Sequence, residues 1–155
     1  MTDTTSKTIT RDGVKLYNLT HPWGHHMPEW PSTPAVNVRV KKFHAKDGFY
    51  QNEVDAIMHR GTHMDAPIHV TENTPDIMGY PLWRFFGTGV AVSIPKGKWE
   101  IITAEDLENA TPEIQEGDIV MINTGMHHKY ADTDEYFAYS PGIYKEGARW
   151  LVDKQ

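Results

Sequence analysis

Apolar and polar residues alternate singly along "VNVRVKKF", where Val36, Val38 and Val40 are separated by Asn37 and Arg39 and followed by Lys41. This period of two predicts a half-buried strand. "AKDGFY" then supplies an Asp-Gly turn and "NEVDAIMHRGTH" resumes an extended pattern, so a hairpin is the simplest reading. "GTGVAVSIP" and "GDIVMINTG" are short β-branched runs bounded by glycine or proline, as buried strands are.

Helical patterning is confined to two places. "TAEDLENA" opens with Thr103 and carries Asp106 three positions later, a variant of the capping box that predicts a short helix. "SPGIYKEGARWLVDKQ" offers Ser140 as N-cap and Pro141 at the first helical position, with Tyr144, Ala148, Leu151 and Val152 on one face. An amphipathic helix is expected there. It reaches Gln155 without a glycine cap, turn or following strand, which is odd for a helix expected to lead back into a sheet.

"GVKLYNLTHPW" begins as a strand and breaks at Pro22 into "GHHMPEWPSTP", where Pro22, Pro28, Pro31 and Pro34 forbid a helix. Trp23, Met27 and Trp30 favour an ordered loop, because flexible linkers seldom carry two tryptophans. Two readings of it stand side by side: a pocket wall, or a loop stapled to the core. Residues 1–13 lack the apolar segment of a secretory signal and are expected to form a flexible leader, with the remaining residues 14–155 as a single mixed α/β domain and a cytoplasmic location. There is no internal repeat and no low-complexity tract.

Composition narrows the function. Fifteen Lys and Arg residues against 21 Asp and Glu leave a net charge of −6, which argues against a nucleic-acid partner. No apolar run approaches the ~20 residues of a membrane helix, so no membrane partner is expected. Zero cysteines exclude disulfides and thiolate metal sites, so any metal must be held by nitrogen and oxygen.

Nitrogen and oxygen donors are concentrated in "HRGTHMDAPIH", residues 59–69. In an extended chain His59, Gly61, His63 and Asp65 share a face, and glycine at the centre leaves room for an ion. His59 and His63 are also spaced as on zinc-binding helices, but Gly61, Thr62, Asp65 and Pro67 disfavour a helix, so a strand leading into a turn is favoured, with His69 returning to the same place. Neutral imidazoles with a carboxylate suit Zn²⁺ or Mn²⁺. A dication held this way lowers the pKa of a bound water toward ~7, and His69, off the alternation, is the candidate acid or base. Clustered histidines can also be plain surface or hydrogen-bonded core residues; the aspartate, the shared face and the glycine tip the balance toward a metal. His21 is a weaker pocket candidate. In the pairs His25-His26 and His127-His128, adjacent side chains diverge in extended structure, which points at least one of each pair to solvent.

The same stretch resembles the signature H-x-G-T-H-x-D-x-P-x-H of the cyclase-like metal hydrolases, a family that includes bacterial kynurenine formamidases and isatin hydrolases, and every fixed position matches. "YNLTHPWGHHMPEWP", "ITAEDLENATPEIQEGDIVMINTG" and "SPGIYKEGARWLV" are similar to further segments of that family, so the resemblance covers most of the chain. It implies an α/β fold of the swivelling β/β/α type, assembled as a homodimer or homotetramer. His59, His63 and Asp65 would be metal ligands, Asp65 bridging where two ions are bound; isatin hydrolase-like members imply a single Mn²⁺. His69 would be the catalytic acid or base, and Trp23, with Trp30 in the same loop, would contact substrate. The implied reaction is hydrolysis of the C–N bond of a small amide, arylformamide or cyclic amide. The family pattern continues with a further strand and more ligands, so the expectation is a chain lacking its C-terminal portion or completed by a second chain. The competing functions are a metal-binding subunit inactive by itself, and a lactone hydrolase or dehydratase using the same site.

Overall fold

The computed structural model describes residues 7–154. They group into two compact units: one runs up to Met27 and resumes over Pro34–Met64, and the other comprises Pro28–Thr33 and the chain from Asp65 onward.

The first unit is built from two antiparallel hairpins. Thr8–Arg11 (β1) pairs with Val14–Tyr17 (β2) around Asp12 and Gly13, both at positive φ (51° and 79°). An Asp-Gly pair in left-handed geometry is the two-residue turn whose twist matches a hairpin. Of the leader expected over 1–13, residues 1–6 lie outside the described residues, while Thr8–Arg11 form a paired strand; the turn signal at Asp12-Gly13 is the physical reason.

Asn37–Lys42 (β3) and Gln51–Asp55 (β4) form the expected hairpin, in register from Asn37 opposite Asp55 and bulged between Val40 and Lys42. The connection holds a single helical turn, His44–Asp47 (α1), closed by Gly48 at φ 78°. Arg39 and Glu53 face each other across the strands, with Nη2 to Oε1 at 2.6 Å. The buried side chains of this unit, among the described residues, are Met27, Val36 and Arg60.

The second unit carries the hydrophobic core. Gly89–Ser93 (β5) lies parallel to Ile119–Asn123 (β7), and Ile101–Ile102 (β6) parallel to Gly142–Ile143 (β8). Such pairing needs a crossover, which contains Ala104–Glu108 (α2). α2 starts where the sequence says: Thr103 Oγ1 accepts from the Asp106 N–H, and the Asp106 carboxylate accepts from the Thr103 N–H. Val92, Ile94, Ile102, Leu107 and Ile114 form the buried cluster, with Trp150 and Leu151 packed against it.

Asp134–Phe137 forms a further helical turn (α3), and Lys145–Asp153 (α4) is the last helix. It begins later than Ser140 and Pro141 suggest. The Ser140 hydroxyl donates to the Tyr136 carbonyl, the Gly142 N–H is drawn to Glu100 O, and β8 occupies the expected first turn, so Tyr144 becomes the N-cap position. Gly147 brings α4 against the core: a β-carbon there would lie 2.9 Å from Ile102 O. No helix among the described residues is long and apolar enough to cross a membrane.

Candidate metal centre

β4 ends at Asp55, and residues 56–66 contain no strand. The alternation expected from His59 to Asp65 is broken at Gly61, whose φ of +67° is left-handed, so bends rather than a shared strand face orient the donors. Past Asp65 the expected return is present: extended Ala66 leads into a 3-10 turn over Pro67–His69, closed by the His69 N–H on Ala66 O.

His59, His63, Asp65 and His69 are all exposed. One ligand atom each from His59, Asp65 and His69 lies within 4.8 Å of the others. Two donors at about 2.0–2.2 Å from a tetrahedrally held ion stand about 3.3–3.6 Å apart. Side-chain rotations of about an ångström would close that gap, and the imidazole and carboxylate donors suit a borderline dication. His63 stands beside this group rather than in it: its Nε2 is 3.0 Å from His59 Nδ1, and the two rings meet edge to face. Its Nδ1 lies 2.8 Å from Gly61 O. A carbonyl only accepts, so in that bond Nδ1 carries the proton and Nε2 of the neutral ring presents its lone pair toward His59. A backbone carbonyl holding the far nitrogen is the usual way a ligating histidine is oriented.

The three residues between His59 and His63 do a different job, which sequence reasoning missed. The Arg60 guanidinium, only 5% exposed, donates from Nη2 to Pro34 O at 2.6 Å. A β-carbon on Gly61 would lie 2.8 Å from Met27 Cε and 3.0 Å from Trp23 Cδ1. Thr62 Oγ1 accepts the His21 backbone N–H at 3.0 Å. Arg60 and Thr62 thus hold the two ends of the proline-rich loop, and Gly61 receives Trp23 and Met27 from within it. The available signal was that loop's content of Trp23 and Met27, which argued for order but not for its seat.

The remaining candidates are scattered. Trp23 packs at Gly61, whereas Trp30, in the second unit, stands edge to face against Phe137 at 5.8 Å between ring centroids. His25 Nε2 is 2.8 Å from Val38 O, and His26 occupies a left-handed conformation at φ 63°. His127 and His128 do not diverge: a 3-10 turn brings their ring centroids to 3.9 Å. A cavity of about 500 Å³ in the second unit is walled by Trp83, Phe86, Ile119 and Leu151, and no residue of the histidine stretch lines it.

Residues 17–155 match the family model Cyclase, described as "Putative cyclase". Cyclase-like protein 1 of Arabidopsis thaliana is 28% identical over 153 residues, 92% of this chain and 58% of that protein. Cyclase-like protein 2 of the same plant is 28% identical over 147 residues, 90% of this chain and 53% of its own length. The structure of a predicted metal-dependent hydrolase from Bacillus stearothermophilus superposes with a TM-score of 0.65 at 26% identity, covering 88% of this chain and 62% of that one. The mixed α/β architecture is shared with that structure, and the chain spans between about half and two thirds of the length of these relatives.

Proposed function

The chain belongs to the Cyclase family, and from that premise we propose that it serves a metal-dependent hydrolase that cleaves the C–N bond of a small amide, arylformamide or cyclic amide. The observation that carries the reading is the gathering of His59, Asp65 and His69 donors within 4.8 Å, with His63 Nε2 held against His59. The Bacillus stearothermophilus protein of similar structure, described as a predicted metal-dependent hydrolase, supports it.

His59, His63 and Asp65 would hold Zn²⁺ or Mn²⁺, with Gly61 O fixing the His63 tautomer. Held there, such an ion would supply a Lewis acid for a carbonyl oxygen and would lower the pKa of water. His69 accepts a proton from the attacking water and returns it to the leaving nitrogen, a task suited to an imidazole. Trp23, packed at Gly61 and 46% exposed, would offer an apolar face to a flat substrate.

A second reading, in which His69 is itself a ligand, is favoured by its place in the same donor group. Metal content of His69→Ala separates the two. As acid or base, His69 can be removed with full metal occupancy and a rate loss of about 10²–10⁴-fold; as a ligand, its removal empties the site. In either case chelation abolishes amide hydrolysis and Zn²⁺ or Mn²⁺ restores it, and turnover by demetallated protein would end the proposal.

A further inference from the structure

We propose that the tripeptide Arg60-Gly61-Thr62 is a clamp that couples metal binding by the flanking histidines to the seating of the loop carrying Trp23, so that Thr62 is a positioning residue for that loop. The inference deepens the metal reading of residues 59–69 and rests on it.

Three independent contacts point the same way. Arg60 grips the chain where the loop ends, at Pro34 O; Thr62 grips it where the loop begins, at the His21 N–H; Gly61 vacates the space into which Met27 and Trp23 pack. Among the described residues of the first unit the buried side chains are Arg60, Met27 and Val36, and two of these, Arg60 and Met27, belong to the clamp contacts. The clamp residues separate His59 from His63, and Gly61 serves both functions: its carbonyl orients His63 while its missing side chain seats Trp23. A cation that fixes the two imidazoles therefore fixes the backbone between them and with it the loop. Coupling of this kind is reciprocal, so loosening the loop must weaken the metal by the same factor by which the metal tightens the loop.

The test uses Zn²⁺ alone, which does not itself absorb or quench, and needs no substrate. Acrylamide quenching of tryptophan emission is measured with and without Zn²⁺, Trp23→Phe identifying the Trp23 share, and Zn²⁺ affinity is measured by competition with a chelator. Thr62→Val keeps the shape and deletes the acceptor. It should expose Trp23 to quencher and weaken Zn²⁺ up to about fivefold, the worth of one hydrogen bond, while Thr62→Ser restores both. Gly61→Ala, which crowds Trp23 from the other side, should move both readouts in the same direction. Zn²⁺ affinity and Trp23 quenching that are unchanged, or that change independently of each other, overturn the clamp. Failure of the unsubstituted protein to take up either Zn²⁺ or Mn²⁺ refutes the metal reading and the coupling together, whereas Zn²⁺ bound with Trp23 unmoved refutes the coupling alone.

Discussion

At the scale of single residues, an ion pair with Lys96 fixes the carboxylate of Asp106 in α2. Lys96 Nζ is 2.7 Å from Asp106 Oδ2, and that hydrogen bond, with the one from the Thr103 N–H, holds the Asp106 carboxyl down at about 2, against an ordinary value of 3.8. A carboxylate whose pKa falls on folding adds stability that is complete above its unfolded value and lost as pH drops through the folded one. The contribution is therefore full above about pH 4 and gone near pH 2. The group is partly open to water, so about 1–2 kcal/mol is expected. Urea unfolding should show Asp106→Asn less stable by that amount at pH 7, the gap closing between pH 4 and 2. This residue pair shows what sequence reveals: the bond between Thr103 and Asp106 is local and was visible, while Lys96 reaches Asp106 through the fold and was not. The donors of residues 59–69 were visible for the same local reason. Their arrangement was not, because Gly61 was free to be either an extended residue or the left-handed one it is.

Among elements, α4 offers the sharpest test. Glycine inside a helix ordinarily costs about 1 kcal/mol relative to alanine, so Gly147→Ala would stabilise an isolated α4. Here a β-carbon would meet Ile102 O at 2.9 Å and Ile143 Cγ1 at 3.0 Å. Overpacking against backbone reverses the sign, and a loss of about 1–3 kcal/mol is expected, read from the thermal midpoint. Hairpins and caps were legible because their signals sit within a few residues: Asp47-Gly48 between β3 and β4, Thr103 before α2. The start of α4 was misread because the force that displaced it, the pairing of Gly142 and Ile143 with Ile101 and Ile102, comes from distant chain. Asp12-Gly13 carried the same turn signal as Asp47-Gly48 and was overlooked beside an apparently polar leader.

For the molecule as a whole, the two units differ in what they bury. The second has a continuous cluster from Val92 to Ile114, while Val40, Phe43, Tyr50 and Val54 around the β3–β4 hairpin of the first stand about half exposed. A two-stranded ribbon is marginal by itself in water. We propose a homodimer or homotetramer, in which a second copy covers such surface. Sedimentation velocity at micromolar concentration should give two or four times the mass of one chain, and a single-chain mass across the range would exclude it.

The parallel pairing of β5 with β7 carries a kinetic consequence. Gly89 must find Ile119 before any of that ladder exists, whereas Arg11 has only to meet Val14. Closing the larger ring costs entropy before contacts repay it, so the hairpins zip early and the core around Leu107 consolidates late. A chain emerging from the ribosome therefore displays its donor-rich stretch, residues 59–69, to the surrounding ions before the β5–β7 ladder has formed.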